Sequence, residues 1–254
     1  ERLTERLMDG WTGSRGKERS REKIKEVVRW LALFDFSNQS LLAKAYGAEV
    51  RGQTVFFRRL EESRLVVVTK APGLDWKIYS LSQSGMEMAR VLLPHLDLKR
   101  RRTPSWIQLV HAFSIQGAIM ARRDEISGFM PEKELSKMKA NHLPDAVLEY
   151  KNGKKVALEV ELNHKSVGRI YNIYLSHLKN IHKGYYDQVL YLFSSEQLKN
   201  NYEEKYKVNI WPMYVINERG KLVLSPEHRG GFDAAKMVHP TDKFRFICEE
   251  LYSL

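Results

Sequence analysis

The chain of 254 residues predicts a mixed α/β fold of the α+β kind, divided into two parts, and two observations carry that prediction. Over residues 20–93, three stretches of helical apolar spacing precede a β-branched run, a second strand and a further helix. Over residues 143–165, two strands meet at a glycine turn and carry acidic side chains at their ends, with helices and strands beyond them. A hydrophobic content of 43% at this length suffices for two small cores.

In the first part, Ile24, Val27, Val28, Trp30, Leu31 and Leu33 recur at helical spacing over 20–36. A short helix over 40–46 is stopped by Gly47, and a third begins at Gln53-Thr54 and runs through Leu60. The run Leu65-Val66-Val67-Val68-Thr69, a turn at Pro72-Gly73 and the strand Lys77-Ile78-Tyr79-Ser80-Leu81 make a hairpin, and a helix follows over 82–93. Three helices and a hairpin in that order describe a winged helix-turn-helix over residues 1–93. Its third helix would present Thr54, Arg58 and Arg59 to a major groove, although such domains also serve as protein–protein adaptors. Residues 94–103 open with proline, carry Lys99, Arg100, Arg101 and Arg102 and run into Pro104. They read as a linker able to lie along a phosphate backbone, which leaves 104–254 as a second domain.

The formal charge of +11 and a pI near 9.6 point to a polyanionic partner. Basic residues cluster at Arg15, Lys17, Arg19, Arg21, Lys23 and Lys25, in the linker, and at Arg122-Arg123. No apolar run is long enough to span a bilayer and no signal peptide is evident, so nucleic acid is the expected partner rather than a membrane. The single Cys248 cannot form an internal disulfide, and a cytoplasmic location is expected. Its apolar neighbours Phe246, Ile247 and Leu251 suggest a helix that buries it.

The chemistry is expected at the hairpin of 143–165. A two-residue turn at Asn152-Gly153 would pair Asp145 with Val160 and scatter the acids over both faces. A three-residue connection, with Gly153 as a left-handed bulge residue, instead pairs Asp145 with Glu159 and Tyr150 with Lys154. One face then reads Ala146, Leu148, Val156, Leu158, Val160 and Leu162, and the other carries Asp145, Glu149, Glu159 and Glu161 with Val147 and Ala157. That segregation selects the bulged hairpin. Clustered carboxylates repel unless a cation neutralises them, so Asp145, Glu159 and Glu161 make a candidate site for Mg²⁺ or Mn²⁺, with Lys165 beside it to stabilise charge on a phosphate. A solvated face paired with Lys151, Lys154 and Lys155 is the simpler alternative.

The rest of the second part predicts a helix over 106–121, a helix with Ser166 as its N-cap, Val167, Ile170, Tyr174, Leu178 and Ile181 on its apolar face and Arg169 on its polar one, a strand over 188–193, a helix after Ser194-Ser195, and a strand over 208–215. These suggest a mixed sheet flanked by helices.

The order of elements, with His142, Pro144-Asp145-Ala146, Glu159-x-Glu161 and Lys165, resembles the PD-(D/E)XK nuclease fold of restriction endonucleases, with Glu161 where the second motif usually carries Lys. Together with the winged helix, the same residues resemble the MobC-type plasmid mobilisation relaxases and the related replication-relaxation proteins. The resemblance implies a divalent-metal-dependent endonuclease that nicks one strand at a plasmid transfer origin and works with accessory mobilisation proteins and a coupling protein. By it, Asp145 and Glu159 would hold the metal, Glu161 would assist as ligand or base, Lys165 would contact the phosphate and Arg169 the DNA. The residues leave open a covalent step at Tyr171, Tyr174, Tyr185 or Tyr186, and a role for His142 or His164 in ordering water or substrate. Two rivals share these features: a restriction-type or junction-resolving nuclease, and a non-enzymatic winged-helix regulator of replication or transcription.

Overall fold

The computed structural model describes residues 14–70, 76–99, 104–138, 140 and 142–251, without the side chains of 14–17 and 240. The turn expected at Pro72-Gly73 and the basic residues Arg100, Arg101 and Arg102 lie outside the described residues. The chain divides after Ala121 into two compact units. Among the described residues, no helix is long and apolar enough to cross a membrane.

In the first unit, α1 (Ser14–Phe34) buries the expected stripe of Ile24, Val27, Val28, Trp30 and Leu31. After β1 (Ser37–Asn38), the Asn38 side chain accepts from the Leu41 amide at 3.0 Å and so starts α2 (Gln39–Ala45). Helix α3 (Thr54–Glu62) buries Phe56, Phe57 and Leu60, which leaves Thr54, Arg58 and Arg59 on its exposed side. Strands β2 (Val66–Lys70) and β3 (Lys77–Leu81) pair antiparallel, and β1 adds to the other edge of β3. Lys23 is not a free surface cation: its ammonium lies 4.9 Å from the Tyr46 ring centroid and donates to Gln53 at 3.0 Å.

Helix α4 (Gln83–Leu92) is capped by Ser82, whose hydroxyl accepts from the Gly85 amide at 3.1 Å. A Cβ at Gly85 would lie 2.1 Å from the Leu65 carbonyl oxygen. Gly85→Ala is therefore expected to cost about 2 kcal/mol, within the usual range for overpacking. Gly117→Ala, at a helical position with nothing within 4 Å, should be neutral or stabilising. Urea melts of the two variants would check the contrast.

Helix α5 (Trp106–Ala121), expected in the second domain, belongs to the first unit. It packs there through a buried apolar face that includes Leu109, Phe113 and Ile119 and through the buried Gln116. The Gln116 carbonyl accepts from Trp30 Nε1 at 2.6 Å and Ser37 Oγ at 2.7 Å, while its amide donates to the Phe36 carbonyl at 2.8 Å and the Ala112 carbonyl at 3.1 Å. An apolar period says that a helix is buried, not which core buries it. The two compact units thus divide after Ala121, while the sequence expectation placed a linker at 94–103.

The second unit holds β4 (Ile126–Pro131), the single turn α6 (Glu132–Leu135), β5 (Ala146–Tyr150), β6 (Lys155–Glu161), α7 (Val167–His182), β7 (Gln188–Phe193), α8 (Glu196–Tyr206), and β12 (Phe244–Cys248). Between the last two lie the short β8 (Ile210–Trp211), β9 (Tyr214–Ile216), β10 (Leu222–Leu224), β11 (Phe232–Asp233) and α9 (Ala234–Met237). Five strands form a mixed sheet in the order β12-β7-β6-β5-β4, parallel across β12, β7 and β6 and antiparallel across β5 and β4. One face, with Val147, Ala157, Val189, Tyr191, Phe193 and Phe244, packs with Ile170, Ile173 and Tyr174 of α7 and with Leu198 and Tyr202 of α8.

Two expectations are corrected. The strand expected over 208–215 is broken, because Pro212 cannot donate to a ladder, and its halves pair with β11 and β10 instead of the main sheet. Cys248 ends a strand and is half-buried, not helical: Phe244 to Cys248 pair residue by residue with Val189 to Phe193. Strand β4 was not expected from the sequence; its Pro131 is tolerated at the last position of an edge strand.

Candidate functional site

The hairpin of β5 and β6 has the bulged register. Ala146 lies opposite Leu158 and Glu149 opposite Lys155, which sets Asp145 across from Glu159. The Tyr150 amide donates to the Lys154 carbonyl at 2.8 Å, and Gly153 turns the chain at φ 82°, where a side chain would be strained.

The acidic face is not the open surface that its pattern suggests. Strand β6 is bordered on its other edge by β7, so Tyr191 and Phe193 stand beside Glu159 and Glu161, and both acids are buried. Only Glu149, at the far end of the hairpin, is exposed. A parallel pair covered by helices buries both of its faces.

Each expected site residue then has a distinct setting. Asp145, just before β5, accepts through Oδ2 from the Val160 amide at 2.7 Å, which ties it to the end of β6. Glu161 is ion-paired with Lys165, four residues on and ahead of α7. Burial pushes the Glu161 carboxyl above its ordinary value; Lys165 opposes this and the charge of Glu159 adds to it. Lys165 also acts electrostatically on His142 and His177, and Asp145 on His142, so the expected residues do share one neighbourhood.

At its centre stands Glu159 with two imidazoles. His142 Nε2 lies 2.8 Å from Glu159 Oε1, and His177 Nε2 lies 3.1 Å from the same oxygen. The second approach is too oblique for a hydrogen bond, and this fully buried nitrogen has none. Burial works against the charge of Glu159, but the neighbouring His142 and His177 outweigh it and hold the carboxyl well below its usual range. Burial likewise disfavours a charged His142, yet Glu159 wins and raises its pKa; in His177, which is wholly enclosed, burial wins and lowers it.

His177 was missed by the sequence pattern. It lies three residues after Tyr174 on the buried side of α7, and a polar side chain there needs a partner. Its Nδ1 is 2.7 Å from the Tyr186 hydroxyl, which accepts from Asn180 Nδ2 at 2.9 Å; the same amide donates to the His142 carbonyl at 3.2 Å. Of the candidate nucleophiles, Tyr171, Tyr174 and Tyr186 are buried, and the first two donate to the carbonyls of Lys205 and Tyr202. His164 is exposed.

The expected DNA contacts divide. Thr54, Arg58, Arg59, Lys99 and Arg169 are exposed, and Lys99 pairs with Asp97 at 2.9 Å. Arg122 is spent on Glu249 through contacts of 3.0 and 2.8 Å. No family model matches this chain, and no curated protein or solved structure matches it significantly.

Proposed function

We propose that the protein is a divalent-metal-dependent endonuclease that nicks one strand of DNA, as the MobC-type relaxases do at a plasmid transfer origin. The observation that carries this reading is the meeting of Asp145, Glu159, Glu161 and Lys165 around the end of β6, in a register that turns the two strands' acids toward one another. The first unit supports it with the element order of a winged helix-turn-helix, whose helix α3 offers Thr54, Arg58 and Arg59 to DNA. In this reading the PD-(D/E)XK domain is the second unit, and accessory mobilisation proteins and a coupling protein are its partners.

The donors fit Mn²⁺ better than Mg²⁺. Mg²⁺ seeks oxygen ligands in a near-octahedral shell, whereas Glu161 is paired with Lys165 and Glu159 is flanked by imidazoles. When bound, such an ion supplies acidity to a water and polarises a phosphoryl oxygen. The chain's own residues do the positioning. Asp145 locks the strand ends together through Val160, Glu161 holds Lys165 in place, and Lys165 offers its charge to the phosphate.

Incubation of supercoiled plasmid bearing a transfer origin, in Mn²⁺, Mg²⁺ or EDTA, tests this. Wild type should yield open circles with metal, and Asp145→Ala should not. Linear product would move the answer to the restriction-type rival. The burial of Glu161 and its ion pair with Lys165 specifically favour the regulator, whose carboxylates are structural; tight binding with intact plasmid in every lane would establish it.

A further inference from the structure

We infer that Glu159 shares a single first-row transition ion with His142 and His177, an imidazole-carboxylate centre in place of an all-carboxylate one. This deepens the metal dependence proposed above and rests on that reading only for its link to cleavage.

Geometry carries it first. His142 Nε2, a Glu159 oxygen and His177 Nε2 all lie within 4.8 Å of one another. An ion at about 2.0–2.2 Å from imidazole and carboxylate donors bridges atoms spaced in this way. The three donors come from different elements, the segment before β5, β6 and the middle of α7, so nothing in the local chain forces them together.

Burial supplies the second argument. Glu159 and His177 are almost wholly enclosed, at 3% and 0% exposure, and the His177 Nε2 faces the carboxylate with no hydrogen bond of its own. His142 already meets the carboxylate at 2.8 Å, and a further positive charge between it and the unbonded His177 nitrogen adds to that stabilisation. A divalent ion satisfies the carboxylate and the unbonded nitrogen at once. The His142 side chain is 27% exposed, which leaves an approach from solvent.

The surroundings are those that ligating histidines need. Nε2 can bind a metal only if Nδ1 carries the ring proton, and Nδ1 of His177 lies 2.7 Å from the Tyr186 hydroxyl. That oxygen has two lone pairs, so it can accept from His177 and from Asn180 together. Asn180 in turn holds the carbonyl of His142, so one amide orients the segments bearing both imidazoles. Two imidazoles and one carboxylate favour Mn²⁺, Fe²⁺, Co²⁺ or Zn²⁺ over Mg²⁺.

Metal-stripped protein titrated with Mn²⁺, Zn²⁺ and Mg²⁺ by calorimetry tests the inference, with pulsed electron paramagnetic resonance on the Mn²⁺ form reading nitrogen coupling. One Mn²⁺ or Zn²⁺ per chain is expected, with Mg²⁺ binding at least about tenfold more weakly and ¹⁴N coupling present. His142→Ala should remove one nitrogen coupling. Tyr186→Phe, which keeps the ring in the core, should weaken Mn²⁺ by about 10–100-fold without unfolding, as loss of an outer partner does. The exposed Glu149→Gln should change nothing. Equal binding of Mg²⁺ and Mn²⁺, absence of nitrogen coupling, or no binding by any ion would overturn the inference. These readouts need no cleavage: nicking without nitrogen coupling sinks the imidazole centre alone, and nitrogen-coupled Mn²⁺ without nicking sinks the nuclease alone.

Discussion

Glu159→Ala should abolish metal-dependent nicking and also destabilise the second unit by about 3 kcal/mol, the cost of breaking a buried charged contact by removing one partner. Two imidazoles would be left facing a void. Glu159→Gln separates the two effects. The amide keeps the shape and one acceptor, so most of the stability should return while nicking stays down by more than about 100-fold, beyond what loss of an outer-shell partner costs. Acid dependence gives an independent check. The folded Glu159 carboxyl is held below its ordinary 4.5, so its contribution is present above pH 4.5 and fades as pH falls through the folded value. Denaturant melts of Glu159→Gln between pH 7 and pH 3 should lose that part of the slope. An unchanged slope together with full nicking would remove Glu159 from the centre of the site.

Gln116→Leu should lower the stability of the first unit by about 3–5 kcal/mol, because it strands several buried polar groups at about 1–3 kcal/mol each. The Trp30 indole N–H, the Ser37 hydroxyl and the Phe36 carbonyl all bond to this one amide. Leucine branches at Cγ where glutamine does not, so Gln116→Met, whose unbranched chain follows the glutamine path, separates the lost polar network from the change of shape. Ser37→Ala, which removes one donor and leaves the rest paired, should cost only about 1 kcal/mol. Tryptophan fluorescence during urea unfolding, in a Trp211→Phe background that removes the second unit's indole, would follow the first unit's transition. A Gln116→Leu midpoint equal to wild type would mean that α5 is held by its apolar contacts alone.

Much of the local structure was legible from residue order. The strands over 77–81 and 188–193 match their predicted bounds, whereas Ser166, expected as the N-cap of α7, precedes that helix without a side-chain cap bond; the side-chain caps form at Ser82 and Ser195, where only helix starts were expected. The bulged hairpin was legible too, since only one register keeps Ala146, Leu148, Val156 and Leu158 on a single face. With it came the pairing of Asp145 and Glu159, which rests on local geometry and side-chain alternation alone.

What the sequence determined by itself is therefore what depends on neighbours along the chain: helical and strand periods, the Gly153 turn and the identity of the acids. Tertiary structure decided the rest, because it depends on contacts between distant segments that no period encodes. It placed α5 in the first unit, closed the acid face under α7 and α8, and added β12 beside β7. It also set His177 against Glu159, 18 positions earlier in the numbering. A buried histidine on a helix stripe signals that some partner exists, and only the packing of α7 on β6 and β7 determines that the partner is this carboxylate.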